Sequence, residues 1–258
     1  MRTISLPVYK RPDRVKRLLE TLRACKPDGY TLHISAEPGF PEVLDAISSI
    51  DFMPFRVAIN KTKLGLNGNI KSALSMAMDS GSDMNVALED DIVLAKDALR
   101  LAEWFQSAPG SDQYACLGLF AYNSSAKGPL EVRETPDFRS WGWCCTRSSW
   151  EKFIVPGLSF VPDVREDVKY SDLWDFRLQY YLVKNGIKTL HPTLSRSNHE
   201  GASDGTTDLA AELLPQFASK AMSNGSYGSG FYITRATGRV TMNASGDHFV
   251  KVHEKVGV

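Results

Sequence analysis

Apolar and polar positions follow two rhythms through the first half of the chain. Short apolar runs at Ile4 to Val8, Leu32 to Ile34, Val57 to Ile59 and Val86 to Leu88 read as strands, the first of them buried. Between them lie residues at helical spacing: Val15, Leu18, Leu19 and Leu22, then Ile70, Ala73, Leu74 and Ala77. Arg11-Pro12 opens the first helix with proline at a favoured first-turn position. Lys26-Pro27-Asp28-Gly29 ends it with turn chemistry, and Gly81 closes the second. Strands alternating with helices of about 10–15 residues predict βαβ units and a mostly parallel sheet.

The second half is less regular. Asp97 begins a helix with Leu101, Ala102 and Phe105 inward, and Cys116 to Phe120 reads as a strand. Asn123 to Pro136, with Gly128-Pro129, predicts a loop-rich flap. Trp141 to Thr146 reads as a strand, with Trp141 and Trp143 on one side and Gly142 between them giving close approach to a substrate. Those rings are either stacking platforms for a sugar or ordinary core. Ser148 and Glu151 have capping-box spacing. Asp172 to Lys184 predicts a helix with Leu173, Phe176, Tyr180 and Val183 inward, followed by a strand at Ile187 to Leu190. Beyond Ala202 the chain is rich in Ser, Gly and Thr. The expected division is a nucleotide-binding half over 1–120, an acceptor-side half over 121–201, and a C-terminal helix with a small β or flexible appendage over 202–258.

Candidate chemistry concentrates at Val86-Ala87-Leu88-Glu89-Asp90-Asp91-Ile92-Val93-Leu94. Three successive carboxylates end one apolar run and begin another. Packing gains nothing from adjacent like charges, whereas a hard divalent ion such as Mg²⁺ or Mn²⁺ would offset their repulsion and sit between carboxylates and phosphates. The plain alternative is a solvated acidic turn. Ligands of open parallel sheets bind beyond the carboxyl ends of the strands. Four polar segments are expected there: Pro7 to Arg11, Ser35 to Pro38, Asn60 to Asn69 and Glu89 to Asp91.

Bulk properties narrow the classes. The 258 residues bury a sizeable core, and 43% hydrophobic with 23% charged residues is an ordinary globular balance. Thirty basic residues against thirty acidic ones give no global case for nucleic acid as partner. The first ten residues lack the apolar core of a signal peptide, and no run approaches the roughly 20 apolar residues of a spanning helix. Cys25, Cys116, Cys144 and Cys145 have neither metal-site nor redox spacing, and read as reduced, buried thiols. A cytoplasmic location is the expectation.

Ser5-Leu6-Pro7-Val8-Tyr9-Lys10-Arg11-Pro12 resembles the opening strand and turn of GT-A glycosyltransferases. Asn60 to Asn69 is similar to the asparagine- and glycine-rich segment before their metal motif, and Glu89-Asp90-Asp91 to their DXD element in its E-D-D form. That form belongs to the N-acetylglucosaminyltransferase I group, which is akin to the family 2-like inverting enzymes. Ser171-Asp172-Leu173-Trp174 resembles the group's W-D-D-W helix start. Leu194 to Gly201 resembles its S-R-T-x-x-F-G loop. The likeness spans roughly residues 3 to 201.

This resemblance implies a GT-A fold: a Rossmann-like, mostly parallel sheet flanked by helices, with a smaller irregular acceptor-side half. It implies inverting, Mn²⁺- or Mg²⁺-assisted transfer from a nucleoside diphosphate sugar, UDP-linked as in UDP-GlcNAc, to a glycan, lipid-linked or other hydroxyl acceptor. By motif position Asp91 is the direct metal ligand, with His199 as a second. Asp90 faces the ribose or the metal's water shell, and Glu89 the sugar or ribose. Pro7, Tyr9, Arg11 and Glu37 hold the nucleoside, Lys63 and Asn67 reach the ribose or diphosphate, and Ser195 and Arg196 cradle the diphosphate. Inversion needs a base on the far side of the anomeric carbon. Asp172 fits by position, with Asp175 next on the same helix face. Plainer roles are a helix N-terminal charge for Asp172 and a surface ion pair for Arg196. Two other classes compete: a nucleotidyltransferase using the same carboxylate–metal site, and a non-catalytic sugar-nucleotide-binding relative. The former usually carries a glycine-rich loop after the first strand, where this chain has none.

Overall fold

A computed structural model describes residues 1–121, 123–161, 172–200, 221–227, 230–236, 241–242, 248–249 and 253–255. The chain alternates β1 (Arg2–Val8), α1 (Pro12–Ala24), β2 (Tyr30–Ala36), α2 (Pro41–Ser48), β3 (Phe55–Ile59), α3 (Gly65–Asp79) and β4 (Met84–Ala87). It continues through β5 (Ile92–Leu94), α4 (Ala98–Ser107), β6 (Leu117–Gly118), β7 (Glu131–Thr135) and β8 (Trp143–Thr146). A helical stretch follows, from α5 (Arg147–Ser149) across a π turn at Trp150–Ile154 into α6 (Val155–Ser159). Then come α7 (Trp174–Lys184), β9 (Thr189–Pro192), β10 (Ser197–His199) and β11 (Tyr232–Ala236).

The main sheet runs β11-β7-β9-β6-β8-β4-β1-β2-β3, with His253–Lys255 paired outside β11. Strands β4, β1, β2 and β3 are mutually parallel, in the register Ser5↔Ala87, Val8↔Ala36 and Ala36↔Ile59. Their carboxyl ends therefore share one edge. Antiparallel β8 then joins this parallel half to a mixed half. The fold is α/β, as expected.

Strand β1 shows why the sequence folds this way. Ile4, Leu6 and Val8 point to one face and pack with Leu18 and Leu22 of α1 and Ile47 of α2. Burying one such side chain contributes about 1.5–3 kcal/mol. The opposite face carries Thr3 and Ser5, also buried, whose hydroxyls are satisfied internally. Thr3 Oγ1 donates to Ser82 Oγ at 2.8 Å, and Asn85 Nδ2 to Ser5 Oγ at 2.9 Å. On that side α3 (Ile70, Leu74, Met78) packs into a second cluster with Trp143, Trp150, Trp174 and Leu178.

Several elements depart from the pattern reading. Helix α2 had no expectation, because only Val43, Ala46 and Ile47 mark its inner face. The expected flap contains β7, held between β9 and β11. Helix α7 buries Trp174, Leu178 and Leu182 instead of Phe176, Tyr180 and Val183, which are exposed. Both stripes are apolar, and the tryptophan decides the phase by joining Trp143 and Phe138. Thr146, not Ser148, caps α5, accepting from the Ser149 amide at 3.1 Å. Gly142 has φ +83°, which breaks the alternation of a strand. Trp143 therefore enters the second cluster while Trp141 turns to Phe120 and His199. The close approach that Gly142 permits is taken by Ser197: a Cβ there would lie 3.3 Å from Ser197 Oγ. The expected C-terminal helix falls partly on 201–220, outside the described residues. All four cysteines are buried thiols.

Candidate active site

After β4 the chain turns through the acid triplet. Leu88 N–H donates to Ser5 C=O at 3.0 Å, and Ile92 N–H to Glu89 C=O at 3.2 Å. Strand β5 then leaves the main sheet and pairs antiparallel with β10, setting His199 opposite Ile92. The Glu200 amide closes this end on Asp91 C=O at 2.8 Å. The acids are not a solvated turn. Asp90 is 5% exposed, Asp91 7%, and Glu89 is half-buried.

Their surroundings differ. Arg11, immediately before α1, pairs with Asp90 and also lies 2.9 Å from Asp91 Oδ2. His199 Nε2 is 3.3 Å from the same Oδ2. Asp91 Oδ1 is buried and makes no hydrogen bond. Burial pushes the Asp90 carboxyl up to about 6, aided by the charge of Asp91 and opposed by Arg11. Burial likewise raises Glu89 well above the carboxylate range, with Asp91, Asp175 and Asp90 adding to it. Burial also works against Asp91, but His199 and Arg11 outweigh it and hold that carboxyl below its ordinary value. Three adjacent carboxylates therefore crowd this edge with Arg11 among them, and the charge of Asp175 reaches Glu89.

Among the described residues no group of three or more His, Cys, Asp or Glu side chains is placed to hold a metal ion. Asp91 and His199 are nevertheless adjacent, and the orphaned Asp91 Oδ1 is a buried anionic oxygen without a donor. Mg²⁺-type sites in phosphate enzymes take one or two protein ligands and fill the remainder with water and substrate oxygens. The pair fits an incomplete site of that kind.

The expected donor-side residues collect at the same edge, with different tasks. Tyr9 accepts from Lys63 Nζ at 2.8 Å and sets its ring edge-on to Phe40, at 4.8 Å between centroids. Pro7 borders a small cavity with Ser5, Glu89, Ser140, Trp143 and Trp174. Glu37 departs from its expected role. It is buried, and its carboxylate accepts from the Leu64 amide at 2.9 Å and the Gly65 amide at 2.7 Å, capping α3 in place of a nucleoside. Asn67 likewise bonds protein: Nδ2 donates to Asp172 C=O at 2.6 Å and Oδ1 accepts from the Trp174 amide at 3.0 Å.

Further departures concern Asp172, Ser195 and Arg196. The Asp172 side chain is 93% exposed and pairs with Arg177 at 3.0 Å, so it stands outside the acid cluster. Asp175 belongs to the cluster: its charge raises Glu89, and its own carboxyl is raised by burial against hydrogen bonds from backbone amides and Ser140. Ser195 is buried, donating to Ser197 C=O at 2.7 Å and accepting from the Ala121 amide at 3.0 Å. Arg196 is 0% exposed. It pairs with Asp97 at 3.3 Å, donates to the Leu194 and Pro129 carbonyls at 2.6 and 2.7 Å, and lies over Phe231. A guanidinium so enclosed has no face for a diphosphate.

The sequence reading passed over Ser140, which holds Asp175, and the relay in which Asn60 Nδ2 donates to Asn69 Oδ1 at 3.1 Å and Asn69 Nδ2 to Val8 C=O at 3.0 Å. The asparagine richness of 60–69 was the available signal. For Ser140 there was none.

No protein-family profile matches the chain, and no curated protein sequence does. Solved structures do resemble it. The mannosyltransferase PcManGT from Pyrobaculum calidifontis, in complex with GDP-Man and Mn²⁺, superposes with a TM-score of 0.51 at 12% identity. That match covers 74% of this chain and 54% of PcManGT. TarS from S. aureus superposes with a TM-score of 0.51 at 12% identity, over 75% of this chain and 36% of TarS. The chain thus spans about half of the one and about a third of the other. The likeness is one of fold: a GT-A-like α/β sheet flanked by helices.

Proposed function

We propose that this chain is an inverting glycosyltransferase, moving a sugar from a nucleoside diphosphate sugar to an acceptor hydroxyl with Mn²⁺ or Mg²⁺. The observation that carries the proposal is the buried cluster at the carboxyl ends of β1 and β4. There Asp91, with an unbonded oxygen, meets His199 and Arg11, next to Glu89, whose carboxyl feels the charge of Asp175 on α7. A PcManGT-like fold with its acids at this edge supports a sugar-nucleotide donor.

Asp91 and His199 would hold the cation, which when bound would offset negative charge on the departing diphosphate. Tyr9 and Lys63 would flank the nucleoside and Pro7 would floor it. Asp90 and Glu89 would contact ribose and sugar. Asp175 is the base in this reading. It follows Trp174, which lines a cavity with Glu89 and Ser140, and burial raises its carboxyl toward the range in which a general base works best. Asp172 would act only through its backbone at the start of α7.

The test is thermal shift and sugar-nucleotide hydrolysis with UDP-, GDP- and dTDP-sugars, with and without Mn²⁺. Metal-dependent stabilisation by a sugar nucleotide and release of the nucleoside diphosphate support the proposal. Pyrophosphate release from a nucleoside triphosphate would replace it with nucleotidyl transfer, and absence of any metal-dependent donor binding would end it.

A further inference from the structure

In the first turn of α7 the Asp175 carboxylate takes the Asp175 and Phe176 amides, which leaves the Trp174 amide in need of an acceptor. The N-cap residue, Leu173, provides no side-chain hydrogen bond, although the first amides of a helix need acceptors. The acceptor comes from a residue 107 positions earlier in the chain, Asn67 in the first turn of α3. Its carboxamide works in both directions, Oδ1 taking the Trp174 amide at 3.0 Å and Nδ2 giving to Asp172 C=O at 2.6 Å. The α3 turn that carries Asn67 is itself pinned, because Glu37 at the end of β2 accepts from the Leu64 and Gly65 amides. One continuous set of contacts therefore runs from β2 through the start of α3 to the start of α7. Asp175 sits one residue beyond Trp174, which lines one small cavity with Glu89 and Ser140.

We propose that Asn67 is a positioning residue, a two-way carboxamide clamp that fixes the start of α7 and so the placement of Asp175 against the acid triplet. This rests on the proposed function only in treating Asp175 as the base; the clamp itself stands on the two hydrogen bonds. An asparagine serves better than a cap within α7. It joins the α3 turn flanking the donor edge to the helix bearing the base, so the two cannot shift independently. Trp174, whose amide it holds, is further anchored by Trp143 and Phe138 on its ring side.

Asn67→Ala and Asn67→Asp separate the possibilities. Hydrogen exchange of the Trp174 amide, measured without substrate, is expected to speed up in Asn67→Ala. In Asn67→Asp it should fall between the parental and Asn67→Ala rates, because a carboxylate still accepts and an anion suits a helix N-terminus, while the donor to Asp172 C=O is replaced by a repelling oxygen. Unchanged exchange in Asn67→Ala would overturn the clamp whatever the enzyme's activity. In transfer assays Asn67→Ala should lower kcat by about 10- to 100-fold, the cost of a slightly misplaced catalytic group, with the donor KM nearly unchanged. A raised donor KM at parental kcat would make Asn67 a donor ligand and overturn the proposal. If the parent transfers no sugar, the proposed function fails while the exchange result still decides the clamp.

Discussion

Replacing Arg11 by methionine keeps most of the aliphatic stem and removes the charge that lies between Asp90 and Asp91. The guanidinium and both carboxylates are largely buried, and Arg11 lies 2.9 Å from Asp91 Oδ2 while also pairing with Asp90. Removing one partner of a buried ion pair costs about 3–5 kcal/mol, because the remaining charge is left without compensation. Two features reduce the cost here. The arginine retains some contact with water, and Asp90 can take up a proton. Its carboxyl titrates at about 6 in the folded protein against an ordinary 3.8, so the folded state binds more protons than the unfolded state between those values. This group therefore destabilises above about pH 6, and the effect fades as the pH falls toward the unfolded value. Without Arg11 the Asp90 carboxyl moves higher still, and protonation relieves the variant sooner.

The expected loss for Arg11→Met is about 3 kcal/mol at about pH 8, and less at about pH 5. At about 2–4 °C per kcal/mol for a chain of this size, Tm should fall by about 6–12 °C at the higher pH. Differential scanning calorimetry in chelator at both pH values measures this. Adding Mn²⁺ should then recover more of Tm in the variant than in the parent, since the ion would take over the compensation that Arg11 provided. A variant melting with the parent at the higher pH would refute the electrostatic accounting. A variant that melts early but gains nothing extra from Mn²⁺ would refute the cation site.

Asp175→Asn should lower kcat by about 10²–10⁴-fold with donor affinity intact, while Asp172→Asn stays near the parental rate; steady-state kinetics of the two variants decides which carboxylate is the base. Arg196→Met should cost about 3–5 kcal/mol by stranding Asp97, with donor affinity unchanged in the folded protein, as chemical denaturation and donor titration would measure. Mn²⁺ should raise the parent's Tm less at about pH 5 than at about pH 8, because Asp90 is then protonated and part of the field that draws the cation is gone. A larger gain at the lower pH would contradict the assignment.

Elements with one strongly periodic face were legible in the sequence, and so was the edge where chemistry collects. Strand β1 and helices α1 and α3 follow from spacing alone, and parallel pairing then places Pro7, Ala36 and Glu89 along one rim. Helix α7 was misread because period alone cannot choose between two apolar stripes. The choice belongs to Trp143 and Phe138, which are distant in sequence. The site residues divide in the same way. Asp90, Asp91 and Tyr9 sit where a strand end must put them. Glu37, Ser195 and Arg196 lie in loops and Asn67 in the first turn of α3; their partners are backbone groups or buried acids, and nothing local distinguishes a side chain that caps a helix from one that awaits a ligand.

The three adjacent acids are chemically similar, yet the fold gives them opposite consequences. β5–β10 pairing brings His199 to Asp91, and Arg11 joins it, so ionised Asp91 is held by partners and its carboxyl stays low. Burial, with Asp91, Asp175 and Asp90 adding to it, outweighs Arg11 and opposes the charge of Glu89. In chelator at about pH 8, where model carboxyls are ionised, neutral replacements should therefore act in opposite directions. Glu89→Gln removes a repulsion and should raise Tm above the parent. Asp91→Asn removes the charge that anchors the Arg11 guanidinium and the acceptor beside His199, and should lower it. Mn²⁺ should reverse the ranking of parent and Glu89→Gln, since a cation makes each nearby anion favourable. If both variants melt below the parent with and without the metal, the acids are held by packing and not by charge, and the electrostatic basis for a cation at this edge is lost.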